Sequence, residues 1–324
     1  MSRFTVPDFF PDFHCKGGTC RHNCCLGWRV TMSLTDYFRL VGLDCSPELR
    51  RKLDTALHVF PRPTPERYAE LACNWEGLCP MLLPDGLCSL QAECGEASLS
   101  ATCRYHPRGV RTAFGNQATV SASCEALAEM LFTREAPLTL TSAELTFDLP
   151  LLAPELTGKA ADAACRERDR VIGILTDRSQ RLSERLQSLT GEPQPSQLST
   201  LTETLLGDTA SAGEDCARAA LRLGDDEALF ANAMAELCAR FPSLDHFLEH
   251  LLVNHLIYTD YPMDADCPDA PAQLRALSAI YWSLCYILAG SQPLTSSDLI
   301  DRCTDCFRVY EHSPFSRRFQ EYRP

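Results

Sequence analysis

Four cysteines fall within eleven residues, Cys15-x4-Cys20-x3-Cys24-Cys25, in a stretch punctuated by Gly17, Gly18, Asn23 and Gly27. That density is hard to reconcile with ordinary packing, because a glycine-rich loop has few core-forming residues around which thiols could be buried. Thiolates are soft ligands suited to iron–sulfur clusters, zinc or copper(I), and four of them satisfy a tetrahedral site or the corners of a cubane. The adjacent pair Cys24-Cys25 strains a single mononuclear site, since neighbouring Cβ atoms diverge. Either a cluster with separated irons relaxes the constraint, or the pair divides between two sets of ligands.

The second set lies downstream, at Cys79-Pro80, Leu87-Cys88-Ser89-Leu90-Gln91, Thr102-Cys103-Arg104 and Ser123-Cys124. Of the eighteen cysteines in 324 residues, eleven lie in the first 124. A chain this long buries a sizeable core without disulfides. Its start has neither a basic n-region nor an unbroken apolar h-region, so no signal peptide is expected. A cytoplasmic location and reduced thiols follow as expectations, and they favour metal over disulfides. The most apolar later run, Leu277 to Gly290, is interrupted by Ser278, Tyr281, Ser283 and Tyr286 and is shorter than the ~20 residues a spanning helix needs, so no membrane segment is read.

Charge is uneven. Residues 1 to 124 carry 13 Lys or Arg against 12 Asp or Glu, whereas the remainder carries 17 against 31. The acidic second part argues against nucleic acid as a partner and suits a lysine-bearing protein, or serves solubility.

Residues 1–14 read as an extended arm and 15–28 as a loop. Helices are expected from Ser33 and from Pro47. Asp85-Gly86, between Met81-Leu82-Leu83 and Leu87-Cys88-Ser89-Leu90, is the best hairpin signal, placing Cys79 and Cys88 on neighbouring arms. A short helix is expected after Cys124, then short strands at Leu138–Thr141 and Leu145–Leu149. A long amphipathic helix is expected over Gly158–Leu189, and further helices near 199–206, 212–223, 225–240, 243–258, 270–290 and 296–312. The fold class is therefore mainly α: a loop-rich, cysteine- and metal-binding region, 1–133, packed on a helical region, 134–324, for cofactor, substrate or partner. Cys303-x2-Cys306, on a predicted helix, reads as core packing before half a metal site, and His250 and His255 read as packing or capping.

Cys15 to Thr31, Cys79-Pro80 with Asp85-Gly86-Leu87-Cys88-Ser89-Leu90-Gln91, and Leu99-Ser100 with Thr102-Cys103-Arg104 resemble the flagellin lysine-N-methylases. Ser123-Cys124-Glu125, the arginine-rich stretch Arg166 to Leu186 and Leu251-Leu252-Val253-Asn254-His255-Leu256 are similar to later signatures of that family. The resemblance implies methyl transfer from S-adenosylmethionine to surface lysines of flagellin, in a protein holding a [4Fe-4S] cluster, with zinc as the alternative metal. The ligand candidates are Cys15, Cys20, Cys24, Cys25, Cys79, Cys88, Cys103 and Cys124. Arg104 and Arg108, with Arg111 and His106, form a basic patch that neutralises a cluster or grips a carboxylate of the cofactor. No Gly-rich strand-to-helix turn and no Cys-x3-Cys-x2-Cys triplet is present, so neither a doubly wound cofactor site nor standard radical chemistry is read. The rival functions are a non-enzymatic zinc- or iron-chelating protein and an iron–sulfur redox protein.

Overall fold

The computed structural model describes residues 1–27, 29–147, 153–207, 210–264, 266–267, 269–313, 315 and 319. The chain divides into two compact units. The larger contains Met1–Phe13, Pro107–Thr146 and the described residues from 153 onward, and the smaller contains His14–His106 with Phe147. This division does not follow the boundary at residue 133 read from sequence. The reason is strand pairing: β1 (Ser2–Pro7) is not a free arm but lies in a sheet of the larger unit.

Within the smaller unit, β2 (Val30–Met32) pairs with a later strand, after which Ser33 caps α1 (Leu34–Val41) by accepting from Asp36 N. Ser46 caps α2 (Pro47–Ala56), whose first residue is a proline that forgoes a hydrogen bond already lost at a helix start. The strands β3 (Leu57–Val59) and β4 (Ala69–Leu71) complete a three-stranded sheet in the order β2-β4-β3. Short helices α3 (Ser89–Cys94) and α4 (Ala101–Tyr105) follow. Val30, Met32, Leu40, Leu49, Leu53 and Met81 are among the core side chains, and Cys45, Cys79, Cys88 and Cys94 pack against this core from its edge.

In the larger unit, β5 (Arg108–Arg111) and β6 (Gln117–Val120) form an antiparallel hairpin. β1 runs parallel to β6 and antiparallel to β7 (Leu140–Leu145), giving the order β5-β6-β1-β7. The two strands expected around 138–149 are thus one, and residues 148 and 149 lie outside the described residues. Cys124 occupies the N-cap position of α5 (Glu125–Phe132) without a side-chain capping bond.

The helix expected over Gly158–Leu189 is two, α6 (Gly158–Leu175) and α7 (Leu182–Thr190). Apolar spacing continues through the break, but local polar bonds outcompete the helix there: Asp177 Oδ1 accepts from Ser179 N, and Glu184 Oε2 accepts from Arg181 N. The later helices fall where apolar spacing and caps put them: α8 (Leu198–Leu206), α9 (Ala210–Leu223), α10 (Glu227–Arg240), α11 (Leu244–Tyr258), α12 (Ala270–Ser291) and α13 (Ser296–His312). α12 is buried on nearly every side, and its Gly290 abuts α9 so closely that a Cβ would stand 2.2 Å from Ala219 Cα. Cys303 and Cys306 on α13 are buried core residues. Among the described residues no helix is long and apolar enough to cross a membrane. The mainly α expectation holds, with two small sheets that it omitted.

Candidate metal centre

Seven of the eight candidate cysteine ligands belong to the smaller unit, and local hydrogen bonds set their loops. Asn23 Oδ1 accepts from Cys25 N at 2.8 Å, bending the chain at Cys24-Cys25, while its Nδ2 donates to Gly86 O at 2.9 Å. One side chain thereby ties the first thiol loop to the Asp85-Gly86 turn. That turn is closed by Leu83 N donating to Leu87 O, with a single bridge between Leu82 and Cys88 in place of a strand pair. Cys79 N donates to Cys25 O at 3.0 Å, so the second and first sets meet backbone to backbone.

Two glycines make that approach possible. A Cβ on Gly18 would lie 2.4 Å from Asp85 O. At Gly86, whose φ is +79°, it would lie 2.8 Å from Gly18 O. Only residues without a side chain fit here.

Cys103 is brought in by α4. Ser100 caps this helix by accepting from Cys103 N, Thr102 Oγ1 donates to Thr31 O on β2, and Asp36 Oδ2 accepts from Ala101 N. Arg39 pairs with Asp36 and donates to Leu99 O at 2.6 Å, fixing the approach to the helix.

Five thiols interact electrostatically as a result: Cys24, Cys25, Cys79, Cys88 and Cys103. The Cys25 thiol is pushed far up, first by its hydrogen bond with Cys24 and then by the one with Cys79, so it is the proton donor of the group. Cys79 is pulled down to about 7, chiefly by the Cys25 hydrogen bond. The backbone N–H groups of Met81 and Leu82 support it against burial. Burial raises Cys88, opposed by the N–H groups of Gln91 and Leu90. Burial also takes the Cys103 thiol up to about 12, opposed by the Ser100 hydroxyl, although the residue as a whole has an exposed surface.

Cys79 and Cys88 therefore share one local design. Each sulfur receives N–H groups from the residues two and three positions onward, as a thiolate or metal-bound sulfur requires. Soft donors, cysteines on four separate chain segments and N–H groups aimed at sulfur fit an iron–sulfur cluster or a zinc ion. Among the described residues no three or more His, Cys, Asp or Glu are already drawn into metal-holding geometry. Cys15 is exposed and accepts from Gly17 N at 3.4 Å, and Cys20 closes a short 3-10 turn. Cys124 lies in the larger unit. Arg104, in the smaller unit, donates to Ala97 O and Leu99 O, and Arg108, in the larger, donates to Phe13 O.

Within the larger unit the segments Ser123–Glu125 and Leu251–Leu256 are joined by a buried polar network. Asn254 Nδ2 donates to Val120 O at 2.8 Å and its Oδ1 accepts from Thr119 Oγ1. Glu311, fully buried, accepts from His255 Nδ1 at 3.1 Å, Ser121 Oγ at 2.6 Å and Ala122 N at 2.8 Å. Burial lowers His312, whose Nε2 shares a hydrogen bond with Ser123 Oγ at 2.8 Å. Sequence reasoning missed Glu311 and His312, which have no motif around them. His250 is a packed and satisfied histidine, lowered by burial, with ring nitrogens facing Leu131 O, Ala136 O and Arg178.

No family model matches this chain, and no solved structure matches it. Over 116 residues, 33% of this chain and 27% of the relative, it is 29% identical to a lysine-N-methylase of Salmonella choleraesuis. It is 28% identical over the same extent to that of Salmonella typhimurium. Over 110 residues, 33% of this chain and 63% of the relative, it is 30% identical to the flagellar biosynthetic protein FliU of Salmonella muenchen. The matched stretch thus spans 27% of the two methylases it resembles.

Proposed function

We propose that this chain is an S-adenosylmethionine-dependent protein-lysine N-methyltransferase that acts on flagellin in the cytoplasm and carries a cysteine-held [4Fe-4S] cluster. The observation that carries the reading is the similarity to proteins named as lysine-N-methylases and a flagellar biosynthetic protein. The convergence of Cys24, Cys25, Cys79, Cys88 and Cys103 supports the metal part.

These five cysteines would hold the group. The Met81, Leu82, Leu90 and Gln91 N–H groups would stabilise its sulfurs and tune its charge. S-adenosylmethionine supplies, when bound, a methyl already activated by its sulfonium. The protein's task is then to align the lysine amine behind that methyl, exclude water and accept the proton of an ammonium whose ordinary pKa is ~10.4.

The test uses protein purified without oxygen. Iron and sulfide in equal amounts, four of each per chain, and label transferred from S-adenosylmethionine to flagellin lysines are expected. Cluster without transfer across several flagellins would refute the methyltransferase. A second reading, a zinc-chelating protein without this activity, is favoured by one observation: Cys103 interacts with Cys24, Cys79 and Cys88, and four thiolates are the number that a structural zinc site takes. One zinc per chain and no iron would decide for it.

A further inference from the structure

The larger unit contains a cavity of about 390 Å³ walled by the end of β5, the last turns of α11 and α13, and the loop after α11. Its volume is that of a small-molecule site. Five carboxylates, Glu155, Asp260, Asp264, Asp266 and Glu311, share the lining with one guanidinium, Arg111, and with the rings of Tyr258 and Tyr310. Both helices present their carboxyl ends, adding partial negative charge. Such a field selects a guest that is cationic overall and carries a single anionic group.

The charged groups are held in place before any guest arrives. Asp260 accepts from Gln117 Nε2 at 2.6 Å and Ala113 N at 3.1 Å, and Arg168 in turn donates to Gln117 Oε1. Arg111 donates to Tyr258 O and lies over the Tyr258 ring, 4.6 Å from its centroid. Glu311 is fixed by the serine and histidine bonds described above. His255, in one of the segments similar to the methylase signatures, therefore helps to anchor one wall.

An independent feature points to a hydrogen-bond donor in the guest. Gln273 is only 8% exposed, and its Nε2 donates to Pro262 O and Cys267 O. Its Oε1 has no donor among the described residues. Gln273 lines a small pocket of about 20 Å³ that shares Thr259 and Asp264 with the main cavity and also includes His255. A pocket of this size takes one water or one ammonium group.

We infer that this cavity, with the pocket beside it, is the binding site for S-adenosylmethionine; the inference rests on the methyltransferase reading. The charged groups and hydroxyls of that ligand each meet a matching class of group. The sulfonium meets carboxylates, the carboxylate meets Arg111, the ammonium meets the unpaired Gln273 acceptor, and the ribose hydroxyls meet carboxylate oxygens.

The experiment is equilibrium dialysis of labelled S-adenosylmethionine against the full chain, prepared without oxygen and without flagellin, so that binding is read apart from turnover. Glu155 and Asp266 are exposed, and Glu155→Gln with Asp266→Asn removes two charges from the lining without cutting a buried bond. The pair should weaken binding by about fivefold, at two- to threefold per charge. S-adenosylhomocysteine, which lacks the sulfonium charge, should bind more weakly to the unaltered chain and respond less to the substitutions. Unchanged affinity in the folded double variant, or binding abolished by Cys24→Ser and unmoved by the cavity variants, overturns the cavity assignment and leaves the methyltransferase standing. No binding by the unaltered chain overturns both. Uptake of Nα-acetyl-lysine amide in place of S-adenosylmethionine makes the cavity an acceptor site and also refutes the inference.

Discussion

Glu249 lies on α11 with no exposed side-chain surface and faces two arginines. Arg178 reaches it with Nε at 3.1 Å from both oxygens and NH2 at 2.8 Å, and Arg185 with NH1 at 2.6 Å. Arg185 is itself 2% exposed and also donates to Leu175 O, so it has no path to water if the carboxylate is lost. Removing one partner of a buried ion pair costs about 3–5 kcal/mol, mostly through the charge left behind. Two features put Glu249→Gln at the lower end: Arg178 is 21% exposed, and Asp245 Oδ2 stands 3.4 Å from Arg185. The expected loss is about 3 kcal/mol, or roughly 6–12 °C in melting temperature at 2–4 °C per kcal/mol.

Urea unfolding followed by far-ultraviolet circular dichroism measures it. In a double-mutant cycle of Glu249→Leu with Arg185→Met, the pair should recover much of the loss that Glu249→Leu alone causes, because a desolvated pair of this kind is replaceable by apolar volume. A cost below about 1 kcal/mol, or effects that add within ~0.5 kcal/mol, would show that the three side chains do not act as a unit.

Gly86→Ala should cost about 1–3 kcal/mol, because φ is +79° and the new Cβ meets Gly18 backbone at 2.8 Å; it should also reduce bound metal, read by metal analysis and denaturation together. Cys79→Ser and Cys88→Ser should each abolish stoichiometric iron or zinc, whereas Cys94→Ser, away from the five interacting thiols, should keep it; equal loss in all three would refute the assignment. Burial raises Asp260 to about 6 from an ordinary 3.8. The native carboxyl therefore holds a proton that the unfolded chain has released, and its contribution to stability falls as pH rises between these values. Stability against pH should be flatter across that window in Asp260→Asn, and an unchanged slope would contradict the shift.

Much of the helical unit was legible because its signals are local. Apolar spacing, the Asp226, Asp269 and Thr295 caps and the breaks at Gly224 and Pro242 mark α8 to α13 nearly to the residue. The sheets were not, since β1 finds Gln117 and Leu140 across long sequence separations, and β2, β3 and β4 are three residues each. The thiol set was legible as composition and spacing. Cys79 and Cys88 owe their place to backbone N–H groups, and Cys103 to a helix cap, neither of which a cysteine count reveals. The polar network had one faint signal: Glu249, His250, Asn254 and His255 interrupt the otherwise apolar run from Phe247 to Ile257, and all four are buried with partners on other segments.

Because β1 pairs in register with β6 at Thr5 and Gln117, with the whole stretch His14–His106 inserted between them, the order of synthesis constrains assembly. At about 5–20 residues per second, the first strand waits roughly 6–20 s for its parallel partner, and longer for β7. During that interval both of its edges are open, and the thiol-bearing segment emerges complete through Cys103. The loops that bear Cys24, Cys25, Cys79, Cys88 and Cys103 are thus all synthesised while the larger unit still lacks its sheet.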